Sequence, residues 1–511
     1  ERMIHRLQET VEWPGKEKSV PGMMLPLGIL EGISNIPNAN QLELVPYLLA
    51  GGSDGLNTDL GVDARYGLTS NTIIKITFNP DFGQVEADPS ILNLTAFETF
   101  YDEKRSFFSE GSDFFSQRIN LFNSRRIGRK PNFYIPEEGE INGLPNYTTI
   151  LGATKIMGST TSNINYGIIS AVTKEESATI EDTLSAQKIV VEPRTNYSIG
   201  RFELPVFNTI SKVGIMGTNV VRKDNVGANV IGADWNLRFL DNRLFSTGQV
   251  IRSNVNNTIG NAYRFNLGYL NSDWWSARVW FGASDDKFDI NDLGFIRRNN
   301  ITWSGARLAL RRQEPWGHFI NNDLEFKYTQ DWNGSGLVLE REVEIEQSNL
   351  FSNYWRAGFF GKLFLPGFND DDVFRDDNAW IYKTELWGYV GPSFSTDRRK
   401  KIIIGADIGS GYGEKRGRGY RANLWMKAKP IEPLNIEINA TQDRSPSYMQ
   451  WVDIIENVND TIRVYANTVL LTKDINMRLD WTFTPRLTFQ CYMQPFYANM
   501  DYKAFFRLKQ P

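Results

Sequence analysis

Strict alternation of apolar and polar residues is the feature that most constrains this chain. From Asn146 onward it recurs in runs of about 8 to 13 residues, each closed by Asn, Asp or Gly turn signals. In residues 434–441 and 475–483 every second side chain is apolar, and those between are polar or charged. Because successive side chains of a strand point to opposite faces, these runs form strands with one apolar and one strongly polar face. The pattern predicts an all-β chain of roughly 16 to 22 strands.

Two architectures explain such strands. In a soluble sandwich the apolar faces meet in a core, whereas in a membrane barrel they meet lipid and the polar faces line a wet lumen. Thirteen of the fourteen tryptophans lie from Trp235 onward, and several lie near run ends, where aromatic girdles belong: Trp274, Trp303, Trp380 and Trp481. This distribution favours a large antiparallel transmembrane β-barrel.

Composition removes several classes of function. A net charge of -4 and a pI of about 5.6 argue against a nucleic-acid partner, which needs a basic excess. The single cysteine, Cys491, excludes an internal disulfide framework, and the two histidines, His5 and His318, lie in no catalytic or zinc motif. Cys491 follows the apolar face of its run, so we interpret it as a small hydrophobic residue. The longest apolar runs are too short for a membrane helix.

The chain divides into three parts. Residues 1–40 have an irregular, proline-bounded pattern and are interpreted as a linker or entry segment, and residues 41–511 as the barrel. Within the barrel, residues 79–145 lack sustained alternation. Because a long segment without strands in a β protein is usually functional, a lid or a plug, we interpret 79–145 as a plug-like or mouth-sealing insert.

Local signals give more detailed predictions. Strands are expected at 41–49, 60–68 and 71–78, and the mixed spacing of 92–105 is compatible with a short helix capped by Thr95. The glycine-rich basic run 411–420 is interpreted as a flexible loop rather than a phosphate loop. Turns are predicted at Asp241–Asn242, Asn256–Asn257, Asn299–Asn300, Asn321–Asn322, Asn333–Gly334 and Lys473–Asp474.

The stretch from Asn79 to Arg129 is the densest concentration of charged and aromatic residues. Charges this dense are too costly on a lipid face, so they belong in the lumen or at a barrel mouth. The candidate constriction or plug network comprises Asp81, Glu86, Asp88, Glu98, Lys104, Arg105, Glu110, Asp113, Arg125 and Arg126.

Four roles are open for this network. It can be a salt-bridged structural plug, or a constriction that selects solutes. A carboxylate pair, Glu86 with Glu98 or Glu110, could perform acid-base chemistry on a glycosidic bond. Asp81, Glu86 and Asp88 could supply oxygen ligands for Ca²⁺, although no EF-hand spacing exists.

A second acidic stretch, residues 369–377, interrupts a strand pair. We interpret it as a solvated outer loop. Lipopolysaccharide or Ca²⁺ is the alternative occupant, with Asp370, Asp371 and Asp372 as the candidate ligands. No cofactor other than this Ca²⁺ is expected.

Long stretches of the chain resemble a known family. They are GVDARYGLTSNTIIKITFNPDFGQVEADP (61–89), NLTAFETFYDEKRSFFSEGSDFF (93–115), SRRIGR (124–129), ILGATKIMG (150–158), VEPRTNYSIGR (191–201) and MQPFYANMDYKAF (493–505). They are similar to an uncharacterised bacterial family, common in the Bacteroidota, whose members carry a periplasmic carbohydrate-binding-family-9-like domain followed by an outer-membrane β-barrel. The resemblance covers most of the chain.

The resemblance implies a location in the bacterial outer membrane, in contact with lipid and lipopolysaccharide. From the resemblance, the family's amino-terminal module is expected to end just before Glu1, so we do not expect it within residues 1–511. The family also continues beyond the point equivalent to Pro511, so further closing strands are expected, because an unpaired edge in lipid is prohibitively costly.

Three functions follow as expectations. The first is a barrel that handles or passes a small polar solute, with a saccharide suggested only by the family's module. The second is a non-conducting structural subunit of an outer-membrane assembly or secretion complex. The third is a barrel-embedded hydrolase that acts on envelope glycans.

Overall fold

The computed structural model describes residues 2–4, 9–11, 42–51, 57–80, 88–134, 140–182, 185–208, 210–223, 227–270, 274–376, 378–457, 460–484 and 486–507. Of the segment interpreted as a linker, only residues 2–4 and 9–11 are described, and the rest of 1–40 lies outside the described residues. The strands are β1 (Arg2–Ile4), β2 (Glu9–Val11), β3 (Leu42–Gly51), β4 (Asn57–Thr69), β5 (Thr72–Phe78), β6 (Glu140–Asn142), β7 (Ile150–Ser159), β8 (Asn165–Thr173), β9 (Glu176–Asp182), β10 (Ser185–Glu192), β11 (Thr195–Pro205), β12 (Lys212–Arg222), β13 (Ala228–Phe239), β14 (Leu244–Val255), β15 (Thr258–Leu270), β16 (Trp275–Ser284), β17 (Ile301–Arg312), β18 (Phe319–Asn333), β19 (Val338–Phe351), β20 (Arg356–Leu365), β21 (Phe368–Asn369), β22 (Tyr382–Lys383), β23 (Trp387–Ser395), β24 (Ile402–Gly413), β25 (Gly417–Ala428), β26 (Leu434–Asn457), β27 (Asp460–Thr484), β28 (Leu487–Met493) and β29 (Phe496–Arg507).

Within the described ranges, helical structure is confined to four short pieces. They are the α-helices α1 (Ser106–Ser109) and α2 (Ser112–Phe115), and the 3-10 turns Ser124–Arg126 and Asp371–Phe374. In the described part of the chain, no helix has both the length and the apolar character that crossing a membrane requires.

Twenty-two of the strands form one antiparallel sheet that closes into a barrel. Their order runs from β11 through β20, then β23 through β29, then β3, β4, β5, β7 and β8. β8 pairs with β11 from Thr173↔Thr195 to Asn165↔Glu203, which returns the order to its start. The all-β barrel predicted from the alternation is therefore confirmed, with a strand count at the top of the expected range.

Strand register confirms the two-faced pattern. Partners in an antiparallel pair share a face, and Glu437 is opposite Lys427 on β25 and Arg478 on β27. One residue along β26, Ile438 is opposite Met426 and Met477 on the other face. The outward face exposes many large apolar side chains, among them Leu44, Ile168, Phe202, Ile215, Ile231, Val250, Phe281, Ile404, Leu424 and Phe489. Cys491 shares this outward face and is exposed.

Two of the tryptophans assigned to an interfacial girdle pack inside the protein instead. Trp303 is opposite Gly282 and packs against a buried hydrophobic cluster, because the missing side chain of the glycine leaves room for the indole. Trp380 packs against a second cluster that contains Tyr465. Trp274, by contrast, is 61% exposed.

Turn predictions are confirmed at some positions and wrong at others. Asn256 and Asn257 have positive φ in the turn between β14 and β15, as expected. Asn321–Asn322 lies inside β18, because the turn forms earlier, around Gly317 at φ +54, and the Asn322 amide donates to Asn349 across the strands. Lys473–Asp474 lies inside β27, which runs for 25 residues.

The basic run 411–420 is an ordered hairpin rather than a flexible loop. It contains the end of β24 and the start of β25. The carboxylate of Glu385, buried against it, accepts hydrogen bonds from the backbone N–H groups of Lys415 and Arg416 at 2.6 and 3.0 Å. These bonds satisfy the donors that would otherwise need water, so the turn is fixed.

We expect Gly405→Ala to destabilise the barrel by about 1–3 kcal/mol, because an added Cβ would lie 2.2 Å from the Trp425 ring and overpack it. The matched control is Gly200→Ala, since among the described atoms none lies within 4 Å of a Cβ added there. The measurement is the temperature at which the compact gel band of detergent-solubilised protein converts to the unfolded band. Equal shifts for the two variants would contradict this packing.

Candidate functional site

The longest described stretch of the insert, residues 88–134, lies against the wall of the barrel. Its buried aromatic and aliphatic side chains form one cluster with inward-facing wall residues; the insert contributes Phe107, Phe108, Phe115, Ile119, Leu121, Phe122 and Ile127, and the wall contributes Ile169, Tyr197, Ile199, Met216, Val230 and Ile251 among others. These wall residues alternate with the exposed apolar ones, for example Ile199 with Phe202 and Val230 with Ile231 on their strands. The insert therefore packs on the face opposite the exposed apolar surface.

The same insert also contacts the far side of the ring. The carbonyl of Leu94 accepts from Gln450 on β26 at 3.3 Å, and the N–H of Ser90 donates to Gln494, between β28 and β29, at 3.1 Å. Leu121 packs near Gly232 on β13, which is half the ring away from β26 in the strand order. A single segment reaches both sides of a closed barrel from within, so the insert crosses the lumen.

Arg126 is the most deeply buried ion-pairing residue of the insert. Its side chain is 5% exposed and donates two hydrogen bonds to Glu98, at 2.8 and 2.7 Å. It also donates to the carbonyl of Gly294 at 3.0 Å, in the segment between β16 and β17. The Arg126 guanidinium therefore links two parts of the insert, at Glu98 and at Arg126 itself, to the segment between β16 and β17.

Arg105 holds the insert together internally. It donates to both oxygens of Glu103, and its remaining donors bond the carbonyls of Ile127 and Ser124 at 2.8 and 2.6 Å. The Ser124 hydroxyl donates to Glu103 at 2.5 Å. Burial opposes ionisation of Glu103, but the hydrogen bonds and charge of Arg105, with the Ser124 hydroxyl, outweigh it and lower the pKa of that carboxyl.

Asp88 and Glu110 occupy the more exposed edges of the insert. Asp88 accepts two hydrogen bonds from Arg125, at 2.8 and 2.7 Å, and lies 3.9 Å from Lys104. Glu110 pairs with Lys75 of the wall and lies 3.9 Å from Arg65. Exposed pairs of this kind contribute little stability on their own.

Wall side chains absent from the sequence-derived set bond the insert's backbone. Lys155 donates to the carbonyls of Phe107 and Glu110, the latter at 2.6 Å. Gln249, 2% exposed, pairs with both the N–H and the C=O of Ile119, at 2.9 and 3.0 Å. The sequence signal that could have identified Lys155 and Gln249 is a polar residue on the inward face of a strand.

Most of the predicted network is brought together, with three exceptions. Asp81 and Glu86 lie outside the described residues. Asp113 is exposed in the first turn of α2 and forms no ion pair with any described residue. Glu98 pairs with Arg126, and Glu110 pairs with Lys75. Because Glu86, the shared member of the two predicted catalytic pairs, lies outside the described residues, those pairs stay a prediction.

The short helix with which the spacing of 92–105 is compatible does not form. Thr95 accepts from the N–H of Phe97 and donates to Asn93, which forms a local turn instead of a helix cap. The helices start at Ser106 and Ser112. Short polar side chains that bond their own backbone in this way compete with helix formation.

The acidic stretch 369–377 is not a solvated loop. Among its described residues, Asp370 and Asp372 are 6% and 7% exposed, and Asp370 accepts two hydrogen bonds from Arg298 at 2.8 and 3.1 Å. Burial raises the pKa of Asp371 and of Asp372. Arg375 donates to the carbonyl of Leu94 at 2.5 Å, so this segment docks onto the insert.

None of the candidate metal ligands that the structure describes belongs to a metal-binding group. Within the described ranges, no three His, Cys, Asp or Glu residues are close enough to hold an ion. Asp88, Asp370 and Asp371 accept from guanidinium groups, which occupy their oxygens. Asp372 lies 3.5 Å from the guanidinium of Arg375. A Ca²⁺ site stays a prediction.

Comparison with known proteins assigns the chain to a family. The model of a family described as a domain of unknown function, DUF5916, matches residues 40–511. The chain belongs to this family. Neither the curated proteins nor the solved structures contain a match to it.

In this DUF5916 chain, Arg126→Met should loosen the insert by about 1–3 kcal/mol, because it removes charge-assisted bonds from a buried position. Arg125→Met is the matched control: the neighbouring arginine is 26% exposed, and its loss should change stability by less than about 1 kcal/mol. Limited proteolysis within 88–134 reports the loosening. Equal cleavage rates in the two variants would show that Arg126 does not anchor the insert.

The Glu103 carboxyl should make insert stability depend on pH. Its pKa is lower in the folded DUF5916 chain than its ordinary value of 4.5, so its contribution is complete above about pH 5 and is lost as the pH falls through the folded pKa. Comparing the thermal midpoint of wild type and Glu103→Gln from pH 7 to pH 3 tests this. The difference should be largest at pH 7 and shrink in acid; a gap that stays constant would refute it.

Proposed function

We propose that this chain is an outer-membrane β-barrel that passes or docks a small polar solute in the part of its lumen beside the insert. The observation that carries the proposal is a charged wall that the insert does not cover. On the inward faces of β20, β25 and β26, the side chains of Lys362, Lys427 and Glu437 are 37%, 55% and 38% exposed. A wall of this kind is suited to hydrated solutes.

Two further observations support a membrane location. The outward face carries exposed aliphatic and aromatic side chains around the ring, such as Ile215, Phe281 and Leu424, which water would disfavour and lipid would accept. The motifs at 61–89, 93–115 and 124–129 resemble Bacteroidota-type barrels with a carbohydrate-binding-like module. A saccharide is therefore a reasonable first solute to test, and lipopolysaccharide a reasonable surface partner.

One observation favours a second candidate, a non-conducting structural subunit. Arg126 and Arg105 are buried or nearly so. Each donates to an insert carboxylate, and also to a backbone carbonyl, that of Gly294 for Arg126 and that of Ile127 for Arg105. A plug held in this way could stay in place permanently. The hydrolase stays a prediction, because Glu86, the shared member of its two carboxylate pairs, lies outside the described residues.

Planar-bilayer conductance of the purified protein tests the channel directly. Wild type should conduct weakly. Replacing 88–134 with a short Gly-Ser linker should increase conductance several-fold, because the part of the insert that crosses the lumen is removed. Retention of the compact gel band on SDS gels is the control for folding. Absence of conductance in both proteins would reject the channel, and constant copurification with the same membrane proteins would favour the structural subunit.

A further inference from the structure

We infer that the lumen contains a binding subsite for an oxyanion, where Arg118 of the insert meets the wall at β13 to β17. The inference rests on the proposed function and deepens it, because it names the chemical class of the solute. The subsite is a cavity of about 220 Å³, and among the described residues its charged lining consists of arginines: Arg118, Arg238, Arg278 and Arg307. Thr247, Asn266 and Ser276 add neutral hydrogen-bonding groups.

Strand register explains why the arginines converge. Arg278 on β16 is directly opposite Arg307 on β17, and partners in an antiparallel pair share a face. Arg238 on β13 lies in the same transverse row of the sheet. It is opposite Phe245 on β14, which is opposite Gly268 on β15, which in turn is opposite Arg278. Arg118 reaches this row from the insert, so four guanidinium groups surround one space.

Aromatic rings hold two of these guanidinium groups in place. Arg238 lies 5.0 Å from the centre of the Phe245 ring, and Arg278 lies 5.1 Å from the centre of the Trp280 ring. Arg278 also donates to the Asn266 side chain at 3.1 Å, and Asn266 is 2% exposed. Stacking and this bond orient the cations without neutralising them.

Charge balance distinguishes this stretch of wall from its neighbour. On β18 to β20, Glu344 bonds both Lys327 and Lys362, so cations and carboxylates alternate. Arg307 pairs with Glu325. Arg118, Arg238 and Arg278, in contrast, form no ion pair with any residue in the described part of the chain. The cavity therefore has an excess of positive charge.

An oxyanion satisfies this arrangement. Guanidinium groups that share a confined space repel one another, and an anion between them turns the repulsion into attraction. Their planar, forked donors match phosphate or sulfate oxygens in a bidentate manner, which chloride cannot reproduce. The space admits several water molecules, so an oxyanion can enter with a small organic group attached.

Phosphate binding to the purified full-length chain in detergent tests the inference. Inorganic phosphate is titrated against chloride at constant ionic strength, and the thermal midpoint is followed. Wild type should show a saturable rise. Arg118→Gln and Arg278→Gln should weaken apparent affinity at least about tenfold, the effect of losing about 1.4 kcal/mol of binding energy. Arg486→Gln, in the exposed turn before β28, should bind as wild type does.

The outcomes separate this inference from the proposed function. No saturable rise in wild type, or an equal rise in all variants, would overturn the oxyanion subsite even if the barrel conducts. Saturable binding that depends on Arg118 and Arg278 supports the subsite even if bilayers show no conductance. Because Arg118 is exposed on the insert, its variant keeps the test valid should Arg278→Gln fail to fold.

Discussion

Backbone hydrogen bonding of an irregular segment inside a closed sheet is the constraint on which this structure depends. Residues 88–134 of the insert have only short helices as regular structure, so most of their N–H and C=O groups must find partners elsewhere. Long polar side chains supply them: Arg105 for Ile127, Lys155 for Phe107 and Gln249 for Ile119. The charges that make the insert conspicuous in the sequence thus hold an irregular chain in place.

Much of the fold could be predicted because strand periodicity is a local property. Alternation in 434–441 and 475–483 identified faces that the pairing of Glu437 with Arg478 confirms. Predictions failed where longer-range packing decided the outcome. Asn321–Asn322 resembles a turn, yet Asn322 finds a cross-strand partner in Asn349, and Trp303 points inward because Gly282 leaves space on the next strand.

The candidate site was predictable in its location and only partly in its members. Charge density in 79–129 indicated an internal network, and the pairs Glu98 with Arg126 and Asp88 with Arg125 form within it. Sequence spacing could not reveal that Asp370 turns inward to Arg298, or that arginines from four separate elements share one cavity. Those contacts depend on strand register across the ring, which a single strand's pattern does not contain.

Crosslinking between the insert and the wall tests the central claim most directly. In a Cys491→Ser background, Ile119→Cys is combined with Gln249→Cys on the inward face of β14, or with Val250→Cys on its outward face. A short bis-maleimide should link residues 119 and 249 and shift the protein on gels, while the 119 and 250 pair stays unlinked. Equal crosslinking of both pairs, or of neither, would contradict an insert held inside the barrel.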